Sequence, residues 1–204
     1  MKTIVGLIVI VALVLGTMVG CQTTSSEPGY KDVTVGPMTV SVPDDWQRPE
    51  GVDEIVSGIR GSVEPEFLQY FPIDGYGPPA EDFVLVLFVI KMRELVELEG
   101  MTWEGWEALM EAEYMTKEDF LVSFGADVFG ECTQTLTLHH TIHGNEAIEG
   151  QFEGRVEDVP SIVNVLMVFP ENDLGLIILL GEEASVVGYE DVWDTIRDSV
   201  QFQN

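Results

Sequence analysis

Basic residues are scarce in this chain: nine Lys and Arg stand against 36 Asp and Glu, a formal charge of −27 over 204 residues. Phosphate binding needs Lys and Arg clustered on one face. Here Lys31, Arg48, Arg60, Lys91, Arg93, Lys117, Arg155 and Arg197 are scattered, which excludes nucleic acid as a partner. Charged residues are only 22% of the chain, so the imbalance reflects missing lysine as much as added acid. Such a charge keeps a protein soluble and makes it repel itself, a load relieved by salt, by divalent cations or by a basic partner. Cysteine is nearly absent, with Cys21 and Cys132 the whole supply. Two thiols are too few for a disulfide framework, and a lone one is ordinarily a small buried hydrophobe. Binding and catalytic motifs are missing too. No glycine-rich phosphate loop occurs. The acid clusters Asp44-Asp45, Asp53-Glu54, Glu171-Asn172-Asp173 and Glu182-Glu183 lack the alternating spacing of a calcium loop. Val122-Ser123-Phe124-Gly125 has Leu121 where a nucleophile elbow requires glycine.

What is present starts with an apolar run from Ile4 to Val19, behind the single charge of Lys2. At about sixteen residues it exceeds many leader segments and falls short of the roughly 18–20 that cross a bilayer unaided. It ends in Met18-Val19-Gly20-Cys21, and Gln22 to Gly29 is small and polar, as a flexible tether is. A small residue followed by cysteine at this position resembles a bacterial lipoprotein signal. A secretory leader cut elsewhere and a retained anchor are the other readings of the run. The resemblance implies cleavage before Cys21, diacylation of its sulfur and frequent acylation of the new amino group. That would moor the chain to the outer face of the cell membrane or to an outer membrane. At about 0.8 kcal/mol per buried methylene, two acyl chains hold firmly without help from charge. Residues 1–20 are then signal, 21–30 tether and 31–204 a single domain, with Cys132 its only thiol.

The domain reads as α+β. Val33 to Val35 and Met38 to Val42 alternate apolar and polar around Gly36-Pro37, an opening hairpin that Pro43-Asp44-Asp45-Trp46 breaks. Phe83 to Ile90, Ile162 to Phe169 and Leu176 to Leu180 are apolar almost throughout, as strands buried on both faces are, and form the centre of a sheet. The last two flank a turn at Pro170 to Asp173. A second pair, Thr133 to Ile142 and Ala147 to Val156, is joined across Gly144-Asn145 nearer an edge. Its latter strand puts Ile148, Gly150 and Phe152 on one face and Glu149, Gln151, Glu153 and Arg155 on the other. Helical spacing marks Tyr189, Val192, Trp193, Ile196 and Val200 as a docked C-terminal helix. Trp103, Trp106, Leu109 and Met110 mark a second helix beginning after Thr102. Thr116 caps a third that presents Phe120, Leu121 and Phe124 and ends at Gly125. Helices covering both faces predict a three-layer α/β/α sandwich around a mainly antiparallel sheet.

This order of elements, with Val42-Pro43-Asp44-Asp45-Trp46 closing the hairpin and Tyr189-Glu190-Asp191-Val192-Trp193 opening the last helix, is similar to the PsbP/Mog1/DcrB-like superfamily. The resemblance runs from Tyr30 to the end. It implies a non-catalytic binding or assembly role; no cofactor is expected, and with the lipoprotein signal the expected partner is an envelope protein. No site motif of that superfamily matches, so none is transferred.

Candidate sites are few. The histidines crowd into His139-His140-Thr141-Ile142-His143. On a strand His139 and His140 face opposite ways, and His139 and His143 lie roughly 13 Å apart at about 3.3 Å per residue. They cannot chelate one ion by themselves, so no metal is expected; were one histidine, His139 or His143, to ligate, it would need a helper such as Glu149, Gln151 or Glu153 across the hairpin. Pro65 to Pro79 holds four aromatics among four prolines. It reads either as a loop folded back over the sheet or as a contact surface made by Phe67, Tyr70, Phe71 and Tyr76. Function therefore reads as a membrane-anchored accessory. The alternatives are a lipoprotein that binds a small molecule or cation, and a hydrolase working with carboxylates and one histidine.

Overall fold

The computed structural model describes residues 29–49, 52–53, 56–57, 67–79, 83–105, 108, 116–129, 132–156 and 158–203. The expected signal, Cys21, the tether as far as Pro28, Pro65-Glu66 and the helix positions Trp106, Leu109 and Met110 lie outside them, and Tyr30, expected to end the tether, is the first residue of a strand.

Two antiparallel sheets form the frame. In the larger, β3 (Ile73–Tyr76), β4 (Phe83–Ile90), β5 (Thr133–Ile142), β6 (Asn145–Val156), β7 (Val159–Phe169) and β8 (Leu174–Glu182) lie in the order β3-β4-β8-β7-β6-β5. The three apolar segments occupy β4, β8 and β7, inside the sheet, and every residue of β4 is buried. β7 and β8 are a hairpin with Ser161 opposite Glu182 and Val168 opposite Gly175. The β5–β6 hairpin turns at His143-Gly144, one residue earlier than expected, with φ of +48° and +87°. Two left-handed residues make the tight turn whose twist matches that of the strands it joins, and Gly144 accepts such a φ without strain.

The opening hairpin, β1 (Tyr30–Val35) and β2 (Met38–Pro43), builds a separate sheet. The chain end adds to it a strand that was not anticipated, β9 (Gln201–Phe202), in the order β1-β2-β9. This sheet lies on one face of the larger one together with α4 (Glu190–Ser199), burying Val35, Met38, Val40, Trp46, Trp193 and Ile196 against Leu85, Leu87, Leu166 and Ile177. The short α3 (Glu183–Val186) leads into α4 through a 3₁₀ turn, Val187–Tyr189. The other face is covered by α1 (Met92–Leu98) and α2 (Lys117–Phe129), with Leu95, Leu121 and Phe124 packed on Ile148, Phe152, Val165 and Met167. The layers are thus helix, sheet, and helix with hairpin: the α+β sandwich that the pattern predicts.

Two helices depart from expectation. α1 was not anticipated. α2 begins with the expected cap, Asp119 N–H donating to Thr116 Oγ1 at 3.1 Å while Thr116 N–H donates to Asp119 Oδ2 at 3.1 Å. The Thr116 hydroxyl also donates to Asp119 Oδ2 at 2.8 Å, and this bond, followed by that from Thr116 N–H, holds the Asp119 carboxyl below its ordinary range. The helix does not stop at Gly125 but continues to Phe129. Gly125 is there for closeness: a Cβ at that position would stand 2.4 Å from the Phe152 ring, and one at Gly150 would stand 2.7 Å from Leu121 Cδ2.

Candidate functional site

Two features stand out: a carboxylate clamp beneath α4 and a cleft at the seam between the sheets. The clamp starts from Glu149 on β6. Strand alternation puts it on the face opposite Ile148, but α4 lies over that face and leaves the Glu149 residue 4% exposed. A buried carboxylate needs donors on its lone pairs, and three side chains supply them. Trp193 Nε1–H donates to Oε1 at 2.7 Å, His140 Nε2 lies 2.8 Å from Oε2, and Arg197 Nη1 stands 3.5 Å from Oε2. Trp193 and Arg197 project from the same side of α4 at a spacing of four. The Arg197 guanidinium is held above its ordinary range by its bond to Asp198, against the opposing effect of burial. Gln151, next on the same face, donates to Asn164 Oδ1 at 3.0 Å and accepts from Thr135 Oγ1 at 3.0 Å. The arrangement fastens a helix to a sheet: each Glu149 oxygen is occupied by the protein's own donors.

His140, not His139 or His143, meets Glu149. His139 is exposed and stands 3.2 Å from Glu118 on α2, while His143 Nε2 is 3.3 Å from the Asp198 carbonyl oxygen. Neither is joined by Gln151 or Glu153, and among the described residues no three His, Cys, Asp or Glu converge as metal ligands. Cys132 is half-buried, and that burial pushes its thiol up, away from the thiolate form.

The cleft, about 490 Å³, lies between the β1–β2 turn at Thr34, Val35 and Gly36 and the segment from Leu68 to Asp74. Gly36, at φ +57°, lets the hairpin turn sit on Pro72, whose Cγ would lie 2.8 Å from any Cβ there. Val35, Phe71, Pro72 and Ile73 supply apolar wall and Asp74 a carboxylate. That carboxylate accepts from Arg48 Nη1 at 2.5 Å and from the Tyr76 hydroxyl at 2.9 Å. Burial, followed by this bond, pushes the Tyr76 hydroxyl up to about 12.

The four aromatics expected at a contact surface are spread across this region. Phe71 is 7% exposed and stacks on Phe88 with ring centroids 6.1 Å apart, which is the folded-back alternative for that residue. Phe67 and Tyr70 pack part-buried against the same core, and Tyr76 packs against the opposite one. Pattern alone could not show the cleft, because its two walls lie more than thirty residues apart in the chain.

No protein-family model and no curated protein matches the chain. Among solved structures it is similar to cyanobacterial PsbP from Synechocystis sp. PCC 6803, at 12% identity and a TM-score of 0.53, covering 90% of this chain and 97% of that one. Weaker likenesses are to the protein Mog1 (11% identity, TM-score 0.44, 85% of this chain and 96% of that one) and to LpqN, involved in cell envelope biogenesis of Mycobacterium tuberculosis (11%, 0.38, 88% and 93%). The fold is PsbP-like. At such identities the likeness extends to the fold alone.

Proposed function

We propose that this chain is an extracytoplasmic lipoprotein, anchored through Cys21, whose PsbP-like domain serves another envelope protein as a non-catalytic binding or assembly accessory. The observation that carries the reading is the Met18-Val19-Gly20-Cys21 junction ahead of a polar tether. The fold is compatible with it: Tyr30 opens β1, an outer strand of the smaller sheet, so the tether enters the domain at a sheet edge. Intact-mass analysis of protein taken from native membranes tests the anchor. The expected species starts at Cys21 and carries acyl mass that Cys21→Ser abolishes, releasing the chain to the soluble fraction. Retention of Met1 to Gly20, or an unmodified Cys21 sulfur, overturns the proposal. A second reading, small-molecule binding, is favoured by the volume of the cleft, about 490 Å³, which falls in the usual range for ligand pockets. A small molecule travelling with the folded protein in a native spectrum would carry that reading instead.

A further inference from the structure

Among the described residues the two sheets have four edge strands, β3 and β5 in the larger and β1 and β9 in the smaller, and β5 is the longest of them. β3 is four residues long, and the chain just beyond it pairs back, Gln47 and Gly77 exchanging two backbone bonds of 2.8 Å. β1 is six residues long and carries Lys31 and Asp32. β5 is ten residues long, Thr-Gln-Thr-Leu-Thr-Leu-His-His-Thr-Ile, with no Asp, Glu, Lys, Arg or Pro. Among the described residues it pairs with β6 alone. Short length, charge, proline and β-bulges are the usual protections of an edge, and of these β5 has only the last. Its one irregularity is a register shift between Gln134 and Leu136, leaving Leu136 to Ile142 in regular pairing. Thr137, Leu138, His139 and Thr141 are exposed along that stretch. Among the described residues nothing pairs with the outer side of β5, which there offers a row of backbone donors and acceptors.

We propose that the outer edge of β5 is a docking site that takes an extended, Lys- or Arg-bearing segment of a partner protein as a seventh strand. Charge decides the occupant. Glu153 lies opposite Thr133 and Glu146 opposite Thr141, both one strand inward and exposed, and Glu118 stands beside His139. Lys117, the neighbouring cation, is already paired with Glu146. Two copies joined β5 to β5 across a two-fold axis would bring these carboxylates together on chains of formal charge −27 each, whereas a basic strand meets them favourably. Main-chain bonds then supply affinity and the carboxylates select the partner. The proposal rests on the reading of a partner-binding protein and not on the anchor at Cys21. Failure of that anchor would appear in the intact mass and leave the edge untouched.

The test uses the full chain in detergent and three peptides: an alternating lysine–valine decapeptide, the same peptide N-methylated at every amide, and a glutamate–valine counterpart. The lysine–valine peptide is expected to slow amide hydrogen exchange at alternate residues of Leu136 to Ile142, with binding that weakens as sodium chloride is raised. The other two are expected to protect nothing. Thr137→Lys should weaken binding about fivefold and Thr137→Glu strengthen it by a similar factor, opposite signs that a loss of fold cannot produce. The proposal is overturned by absence of binding, by unprotected β5 amides under bound peptide, or by equal binding of the N-methylated peptide. A dimer protecting β5 without peptide would also overturn it, assigning the edge to a second copy.

Discussion

Glu149 shows how far residue-level reading reaches. Strand alternation placed it with Gln151, Glu153 and Arg155 on one face, and that face is the correct one. What alternation cannot tell is where along the face a helix lies: Glu149 is buried and Glu153, four residues on, is exposed. The available signal sat on the helix instead. A tryptophan in a buried stripe needs an acceptor for its Nε1–H, and Trp193 with Arg197 one turn later asks for a carboxylate beneath. Removing that carboxylate leaves the Trp193 donor buried and deprives His140 and Arg197 of their common partner, so Glu149→Ala should lower stability by about 3 kcal/mol. The check is a urea midpoint together with the near-ultraviolet circular dichroism of the tryptophans. A change under about 0.5 kcal/mol would mean that water replaces the clamp at no penalty.

Among the elements, strands and the last helix were legible because their patterns are long and unmixed. β4, β7 and β8 are apolar runs, and α4 repeats its stripe over its whole length. α1 and β3 were not, for physical reasons: Met92–Leu98 is two turns long, directly behind an apolar strand, and Ile73–Tyr76 is a strand only because β4 has an open side to pair with. Gly125 misled through a rule of propensity, since glycine near the end of a helical stretch ordinarily stops it. Here contact overrides propensity, and the sign of a substitution separates the two. Gly→Ala inside an exposed helix usually gains up to about 1 kcal/mol. At Gly125 the new methyl would meet the Phe152 ring at 2.4 Å, against a ring that is 1% exposed and has nowhere to go. Gly125→Ala is therefore expected to destabilise, by about 1–3 kcal/mol as overpacked cores do, and Phe152→Leu in the same chain should recover much of the loss. A double-mutant cycle by chemical denaturation reads this directly, and a stabilised single variant would refute the close-packing account.

For the whole molecule, layer composition could be read from patterns while strand order could not. β4 meets β8 across nearly a hundred residues, Phe83 opposite Gly181, and nothing local in either strand names the other. The cleft and the clamp were hidden for the same reason, since each joins segments far apart in the chain. Charge, by contrast, is a property of the whole that composition states outright. Nine cations can neutralise at most nine of 36 carboxylates, and several are spent on exposed pairs such as Arg48–Asp53 and Lys91–Glu94, which contribute little. Folding gathers the remaining carboxylates onto one compact surface, so their mutual repulsion is greater in the native state than in the extended chain. Sodium chloride shortens the screening length from about 30 Å at 0.01 M to about 3 Å at 1 M. Screening then relieves more repulsion than it removes from the pairs, and the midpoint of thermal unfolding should rise by several degrees over that range, about 2–4 °C for each kcal/mol gained in a chain of this size. Magnesium chloride at equal ionic strength should raise it further if the acid clusters condense divalent ions. A midpoint that falls as sodium chloride is added would show that attractive pairs, not the excess of carboxylates, dominate the electrostatics of the fold.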